Sequence, residues 1–311
     1  MIRYIVRRLV EAVPVLLLAS FAVFMLVRLV PGDPASALAG PNATPEQVQQ
    51  LREQLNLGGN PFVQYVHWLG HAFEGNFGNS IQYRLPVGHL IRTQLEPTLQ
   101  LGIAAYIFCL IVGIGLGILA ARSGFWNYVA NVFAGIAIGV PTFVLGILLL
   151  VLFAARWQIL PSGGWASFTD DPGLALKDLI LPTIALGCIT SAVLMRFVRT
   201  SLRQVLQQDY IRTARAKGIG ERSVVMGHAL RNALIPVITV SALQVGRLLA
   251  GALVIELVFA RPGLGRLIVD GVQARDYPLI QALILLFVVI FILVNLIADV
   301  TYGLVDPRIH Q

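Results

Sequence analysis

Six apolar stretches dominate this chain. Residues 9–30, 98–121, 129–155, 179–198, 236–258 and 279–302 are each long enough to cross about 30 Å of hydrocarbon as a helix. Lipid offers no partners to backbone N–H and C=O groups, so each run must satisfy them internally, as an α-helix does. The expected fold is all-α and integral to the membrane, with six transmembrane helices. Composition agrees: 57% of the residues are hydrophobic and 13% charged, against about a quarter charged in a soluble domain. The net charge of +7 does not point to nucleic acid, because the basic residues sit beside the apolar runs, where they set topology. Cys109 and Cys188 lie inside apolar runs and read as small buried thiols.

Arg3, Arg7 and Arg8 precede the first run. A basic start and an apolar core also describe a signal peptide, and Ala37-Leu38-Ala39 imitates a cleavage site. The run is long for that purpose and later runs commit the chain to the membrane anyway, so a retained span is expected. Residues 31–96 form a long polar region. Within it Thr44, Pro45 and Gln47 make a helix start. A second helical pattern follows over 61–73, with His67 and His71 at i, i+4. That is a metal-ligand spacing, but Trp68 stands where a zinc protease needs Glu, so an amphipathic helix is the plainer reading. Gly113, Gly115 and Gly117, and the GxxxG pair Gly135 and Gly139, would let helices approach closely or are simply tolerated. Pro141 is expected to kink the third span. No internal repeat is visible.

Charge sets the orientation. With the amino terminus inside, the inside segments hold Arg3, Arg7, Arg8, Arg122, Arg308 and the eight cations of residues 196–236. The short outside loops hold only Arg156, Lys177, Arg261, Arg266 and Arg275. Six spans with both termini cytoplasmic satisfy the positive-inside rule, and they put the basic 196–236 interval in the cytoplasm.

That interval carries Arg196, Arg199, Arg203, Arg212, Arg215, Lys217, Arg222 and Arg231 against Asp209 and Glu221. Helix formers from 203 to 217 are stopped by Gly218 and Gly220. Val225, Met226, Ala229, Leu230 and Ala233 then mark a second helix. Leu206, Tyr210 and Ala214 fall at i, i+4, i+8 with Ile211 beside them, while Arg212 and Arg215 take another face. Such a helix suits a partner's groove. The plainer alternative is a topology signal drawn to anionic lipid.

Here DYIRTARAKG followed by HALRNALIPV resembles the cytoplasmic EAA loop of permease subunits of binding-protein-dependent ABC importers, most closely the dipeptide, oligopeptide and glutathione branch. RYIVRRL, LVPGDP, FARPGLGRLIVDGVQARDYPLIQ and NLIADVTYGLVDPRI extend the likeness over nearly the whole chain. Arg212 and Thr213 replace the Glu-Ala of the general pattern, and Pro236 lies further from Gly218, both as in the peptide branch. The resemblance implies a type I ABC importer permease fold with a cytoplasmic coupling helix docking on an ATPase, formed by Asp209, Tyr210, Arg212, Thr213, Ala214, Arg215, Ala216, Lys217 and Gly218. It also implies a second homologous permease, two cytoplasmic ATP-binding subunits, an exterior solute-binding protein and a short peptide, glutathione, nickel or another small solute as cargo. The implied location is the inner membrane. The domain expectation is a first span over 1–30, an exterior region over 31–96 and a permease core over 97–311, with the coupling loop at 199–235. The 259–278 loop would face the binding protein or line the outer gate.

The chain has two lysines, Lys177 and Lys217, and neither ends a GxxxxGK[ST] phosphate loop, so any ATP must be bound by partner subunits. No GxSxG, HExxH or CxxC is present, so no enzyme and no cofactor is expected. Charges within spans are costly and mark candidate function. Glu11, Arg28 and Asp299 lie near span ends and can reach the interface. Arg247 sits mid-span, with Glu256 nine residues on and on the opposite face. Both are candidates for the translocation pathway. Arg247 either meets an anionic substrate group or pairs with an acid on a neighbouring helix or subunit. A self-sufficient secondary transporter is the rival; it would need an intramembrane carboxylate relay, for which Glu256 is the one candidate.

Overall fold

A computed structural model of the chain describes residues 2–29, 43–54 and 60–305. The motif LVPGDP, the Ala37-Leu38-Ala39 triplet, Arg308 and the final residues of the carboxyl-terminal motif lie largely outside them.

Among the described residues every regular element is helical. The first run is α1 (Ile2–Leu29). Helix α2 (Pro45–Gln54) begins at the expected capping box: Thr44 N–H donates to Gln47 Oε1 at 3.0 Å and Gln47 N–H returns to Thr44 Oγ1 at 3.3 Å. Helix α3 (Pro61–Phe73) is capped by Asn60, whose Oδ1 accepts Phe62 N–H at 2.9 Å. Helix α4 (Val87–Arg122) starts well before the expected boundary at residue 98, because Pro97 is carried inside it rather than ending it.

The third run is not one kinked helix. It divides into α5 (Gly124–Gly139) and α6 (Thr142–Leu149, continued as the π-helical Leu150–Arg156), bent by 103° to each other. Pro141 drives its predecessor out of the helical region, and Val140 lies extended at φ −98°, ψ 123°. Among the described residues there are therefore five helices long and apolar enough to cross a bilayer, and six if this bent pair counts as one span.

Helix α7 (Pro172–Leu206) absorbs part of the expected 156–178 loop. Pro172 occupies its first position and Asp171 accepts Leu174 N–H at 2.9 Å. After α8 (Asp209–Ala216), a turn (Glu221–Ser223) and a π-helical segment (Val224–Ala229) lead into α9 (Leu230–Val258), which carries Pro236 inside it. The expected exterior loop after Phe259 contains a helix, α10 (Leu264–Gln273), before α11 (Tyr277–Val305).

The chain forms two compact units. Among the described residues, the first comprises 96–266 and 293–305. Its centre is α7, with 78% of its most apolar window buried against 28% for α4 and for the helix carrying α9. Leu181, Ala185 and Leu186 of α7 pack with Leu248, Ala252 and Ile255 of α9 and with Leu101 and Ala105 of α4. On another side of α7, Cys188, Ala192 and Met195 meet the alanine stripe Ala130, Ala134 and Ala137 of α5. Small residues set these distances. A Cβ on Gly117 would stand 2.6 Å from Val198 Cβ, and one on Gly187 2.6 Å from Phe108 Cδ1. Gly135 and Gly139, by contrast, meet nothing within 4 Å among the described residues, so their GxxxG spacing is not used by them.

The second unit comprises 2–95 and 267–292. Fully buried Asp276 organises one end of it. Its carboxylate accepts Ser80 Oγ–H, Gln82 N–H at 3.1 Å and Leu279 N–H at 3.3 Å, so one side chain fixes the 80–85 turn and caps α11. In the same unit α1 and α3 interlock through Phe21, Phe24, Tyr65 and Trp68.

Candidate functional site

The basic interval is a compact bracket, not a single helix from 203 to 217. Helix α7 runs on to Leu206, and Gln208 breaks the helix at φ −72°, ψ 150° before α8 begins. No proline or glycine marks this corner, which is why the sequence does not show it. Gly218 ends α8 as expected, with φ +78°. Gly218 N–H bonds to Arg215 C=O at 2.9 Å and Ile219 N–H to Ala214 C=O at 3.3 Å, the paired closure of a Schellman motif.

The corner changes which residues face out. Ile211 and Ala214 point inward, into a cluster with Leu202, Val224, Val225, Ala229 and Ala233. The expected stripe Leu206, Tyr210, Ala214 therefore does not form a docking face, since Leu206 belongs to α7 and Ala214 is buried. Outward stand Asp209, Tyr210, Arg212, Thr213, Arg215, Ala216, Lys217 and Gly218. Arg215 Nε and Nη2 grip both carboxylate oxygens of Glu221 at 3.0 and 2.8 Å, which ties α8 to the next turn. Tyr210 accepts Asn232 Nδ2–H at 2.9 Å. Above the bracket, Arg199 reaches Asn127 and Asn131 on α5 at 2.9 and 2.7 Å, and Arg203 donates to Ala120 C=O on α4 at 3.0 Å.

Arg247 and Glu256 do not meet, in keeping with their opposite faces. Arg247 is exposed on α9 and its Nη1 reaches Gln244 Oε1 at 3.5 Å. Glu256 is fully buried and held by its own chain. It accepts Thr98 Oγ1–H at 2.6 Å, Gly265 N–H at 2.8 Å and Arg266 N–H at 3.2 Å. The two N–H groups belong to the first turn of α10, which has no intrahelical acceptors for them and where a carboxylate also complements the helix dipole. Bare backbone is required opposite it: a Cβ on Gly263 would collide with the Glu256 carboxylate.

Arg261, one of the cations of the short outside loops, lies beside this cluster and is 1% exposed. Its Nη2 donates to Gln100 Oε1 at 3.1 Å, an oxygen that also accepts Trp165 Nε1–H at 2.8 Å. Burial pushes the Arg261 pKa below its usual value, opposed by the nearby charges of Asp178 and Glu256. The available signal was the set of polar residues bracketing the apolar runs, Thr98, Gln100, Asp178 and Arg261, which could be read as a network instead of as loop residues.

The remaining candidates are peripheral. His67 and His71 are exposed on α3, with His71 Nδ1 3.7 Å from Glu74 Oε2. No group of three metal-ligating side chains occurs among the described residues. Glu11 is paired with Arg7 at 2.8 Å and Arg8 at 3.5 Å. The side chains of Arg28 and Asp299 lie outside the described set.

Comparison with known proteins accounts for this arrangement. Residues 113–311 match the family described as the inner membrane component of binding-protein-dependent transport systems, and residues 1–87 match the amino-terminal part of such membrane components. The chain is 43% identical to the glutathione transport system permease protein GsiC of Escherichia coli (strain K12), over 100% of its own length and 99% of that protein's. The GsiC of Salmonella choleraesuis (strain SC-B67) matches to the same extent. An inward-facing structure of the MetNI methionine ABC transporter shares the fold at a TM-score of 0.55 and 18% identity, covering 70% of this chain and 96% of that one. These relationships exclude the self-sufficient secondary transporter, and the buried, fully bonded Glu256 shows none of the accessibility a proton relay needs. The chain belongs to the family of binding-protein-dependent transport system inner membrane components, as a non-enzymatic ABC importer permease subunit of the type I fold, resident in the inner membrane.

Proposed function

We propose that this chain forms half of the pathway by which an ABC importer takes glutathione or a short peptide into the cell. The single observation carrying the substrate class is full-length identity of 43% to the glutathione permease. A second, homologous permease would supply the other half. Two ATP-binding subunits would provide the energy, and an exterior binding protein would deliver the cargo.

On this reading both termini and the 199–235 loop are cytoplasmic, supported by the excess of cations in that loop. The domain plan keeps residues 1–30 as the first span, 31–96 as the exterior region and 97–311 as the permease core. Helix α8 is the coupling element, gripped through its outward set Asp209, Tyr210, Arg212, Thr213, Arg215, Ala216, Lys217 and Gly218. Ala214 serves it from within, by seating α8 on its own chain. ATP-driven closure of the motor subunits would displace α8, and the bracket would pass that displacement to α7 and α9 as a rigid-body motion. Arg247 lines the pathway and meets a cargo carboxylate. Glu256 contributes indirectly, by locking the start of α10.

The test is reconstitution of the complete complex with its binding protein in liposomes. Glutathione or dipeptides should stimulate ATP hydrolysis and accumulate inside. Stimulation by unrelated solutes alone would overturn the substrate assignment while leaving the permease assignment intact. Replacing Arg247 with Leu should reduce uptake of free-carboxylate cargo more than of amidated cargo; an equal effect on both would remove Arg247 from the pathway.

A further inference from the structure

Helix α3 falls in the 31–96 region that the sequence places outside the membrane, but its contacts with α1 lie at the wrong depth for that. Arg7, Arg8 and Glu11 form an exposed charged cluster at one end of α1, which fixes the headgroup level there. A helix rising 1.5 Å per residue carries Leu17 about 9 Å, and Phe24 about 20 Å, beyond Glu11. Both depths lie within a hydrocarbon layer about 30 Å thick. Those are the residues α3 touches. Tyr65 Oη is 2.7 Å from Ser20 Oγ and donates to Leu17 C=O at 3.2 Å. Phe62 stacks on Phe21 at 5.8 Å, and Trp68 packs on Phe24 at 5.7 Å.

We propose that α3 is a membrane-inserted helix whose free apolar face is covered by lipid acyl chains. Tyr65 has the pairing a hydroxyl needs in that environment, because its partners are a buried serine and a carbonyl of the spanning helix. The outward face carries Phe62, Val63, Val66 and Phe73, between 54% and 83% exposed. On α1, Leu17 and Leu18 are likewise exposed at about 9 and about 10 Å beyond Glu11. His67, His71 and Glu74 share the other exposed stripe, so the two exposed sides of α3 differ in polarity.

The experiment places single spin labels on the full chain within its complex in lipid, with Cys109 and Cys188 changed to Ala. Collision with dissolved oxygen is compared with collision with a water-soluble nickel chelate. Labels at Phe62, Val66 and Phe73 should give the oxygen-dominated ratio of a label at Leu18. Nickel dominance at Val66 and Phe73 would overturn the proposal in favour of a helix in water. Low collision with both reagents there would overturn it in favour of a covering protein subunit.

Discussion

Thr98 Oγ1 donates a 2.6 Å hydrogen bond to Glu256 Oε1 and accepts Leu264 N–H at 2.8 Å. One hydroxyl thus joins α4, the end of α9 and the start of α10. Thr98→Val removes both bonds and leaves a buried carboxylate oxygen and an N–H unpaired, at a cost of about 1–3 kcal/mol. Thr98→Ser keeps both. Glu256→Ala strands Thr98, two backbone donors and Arg261 together, and should cost about 3–5 kcal/mol. Thermal unfolding of the detergent-solubilised complex should rank the variants Ser, Val, Ala from most to least stable. Equal melting of Thr98→Val and wild type would show that the hydroxyl is not a joint.

Gly263→Ala tests the same cluster by shape. The added methyl falls on the Glu256 carboxylate, so α10 cannot start where it does. Membrane yield of assembled complex should fall sharply. Combining Gly263→Ala with Glu256→Ser should restore part of it, since the shorter side chain vacates that space.

Two glycines on α4 should behave oppositely although they are two residues apart. Gly117→Ala pushes a methyl against Val198 Cβ, 2.6 Å away, and Met195 C=O, 3.0 Å away. Gly115→Ala meets nothing within 4 Å. Gly117→Ala should lower the melting temperature and Gly115→Ala should leave it unchanged.

In the 206–233 bracket, inward and outward residues should fail in different ways. Ala214→Asp buries an unpaired charge beside Leu202 and Val224, so limited proteolysis should nick the loop. Gly218→Val forces a branched residue into a left-handed backbone and costs about 1–2 kcal/mol. Arg212→Ala and Tyr210→Ala alter exposed side chains, the second also losing the bond from Asn232. They should leave the proteolysis pattern intact while uncoupling ATP hydrolysis from uptake. Intact coupling in the double variant would move the motor contact away from α8.

The apolar runs show where helices lie because burial in lipid leaves few alternatives, and Thr44, Asp171 and Gly218 mark their ends by chemistry that is local. What depended on distant partners did not show. The corner at Gln207 and Gln208 contains no breaker; it forms because Ile211 and Ala214 find a pocket against Val224 and Val225. Arg261 reads as a loop cation until Gln100, Asp178 and Glu256 are brought around it. Pro97 and Pro141 carry the same local signal, yet one lies inside a helix and the other ends one. Arg247 was legible as an unusual mid-span charge, and its neighbour Gln244 adds little to that.

Helix α7 has 35 residues, so it is about 52 Å long, well over the thickness of the hydrocarbon layer. Asp171 anchors its first turn, and its last turn feeds directly into the bracket that holds α8. It is packed along most of that length, with Pro182 carried inside it. On the proposed coupling role of α8, a push at Leu202 would travel along this packed helix toward Pro172, and α7 would serve as a connecting rod between the two sides of the bilayer.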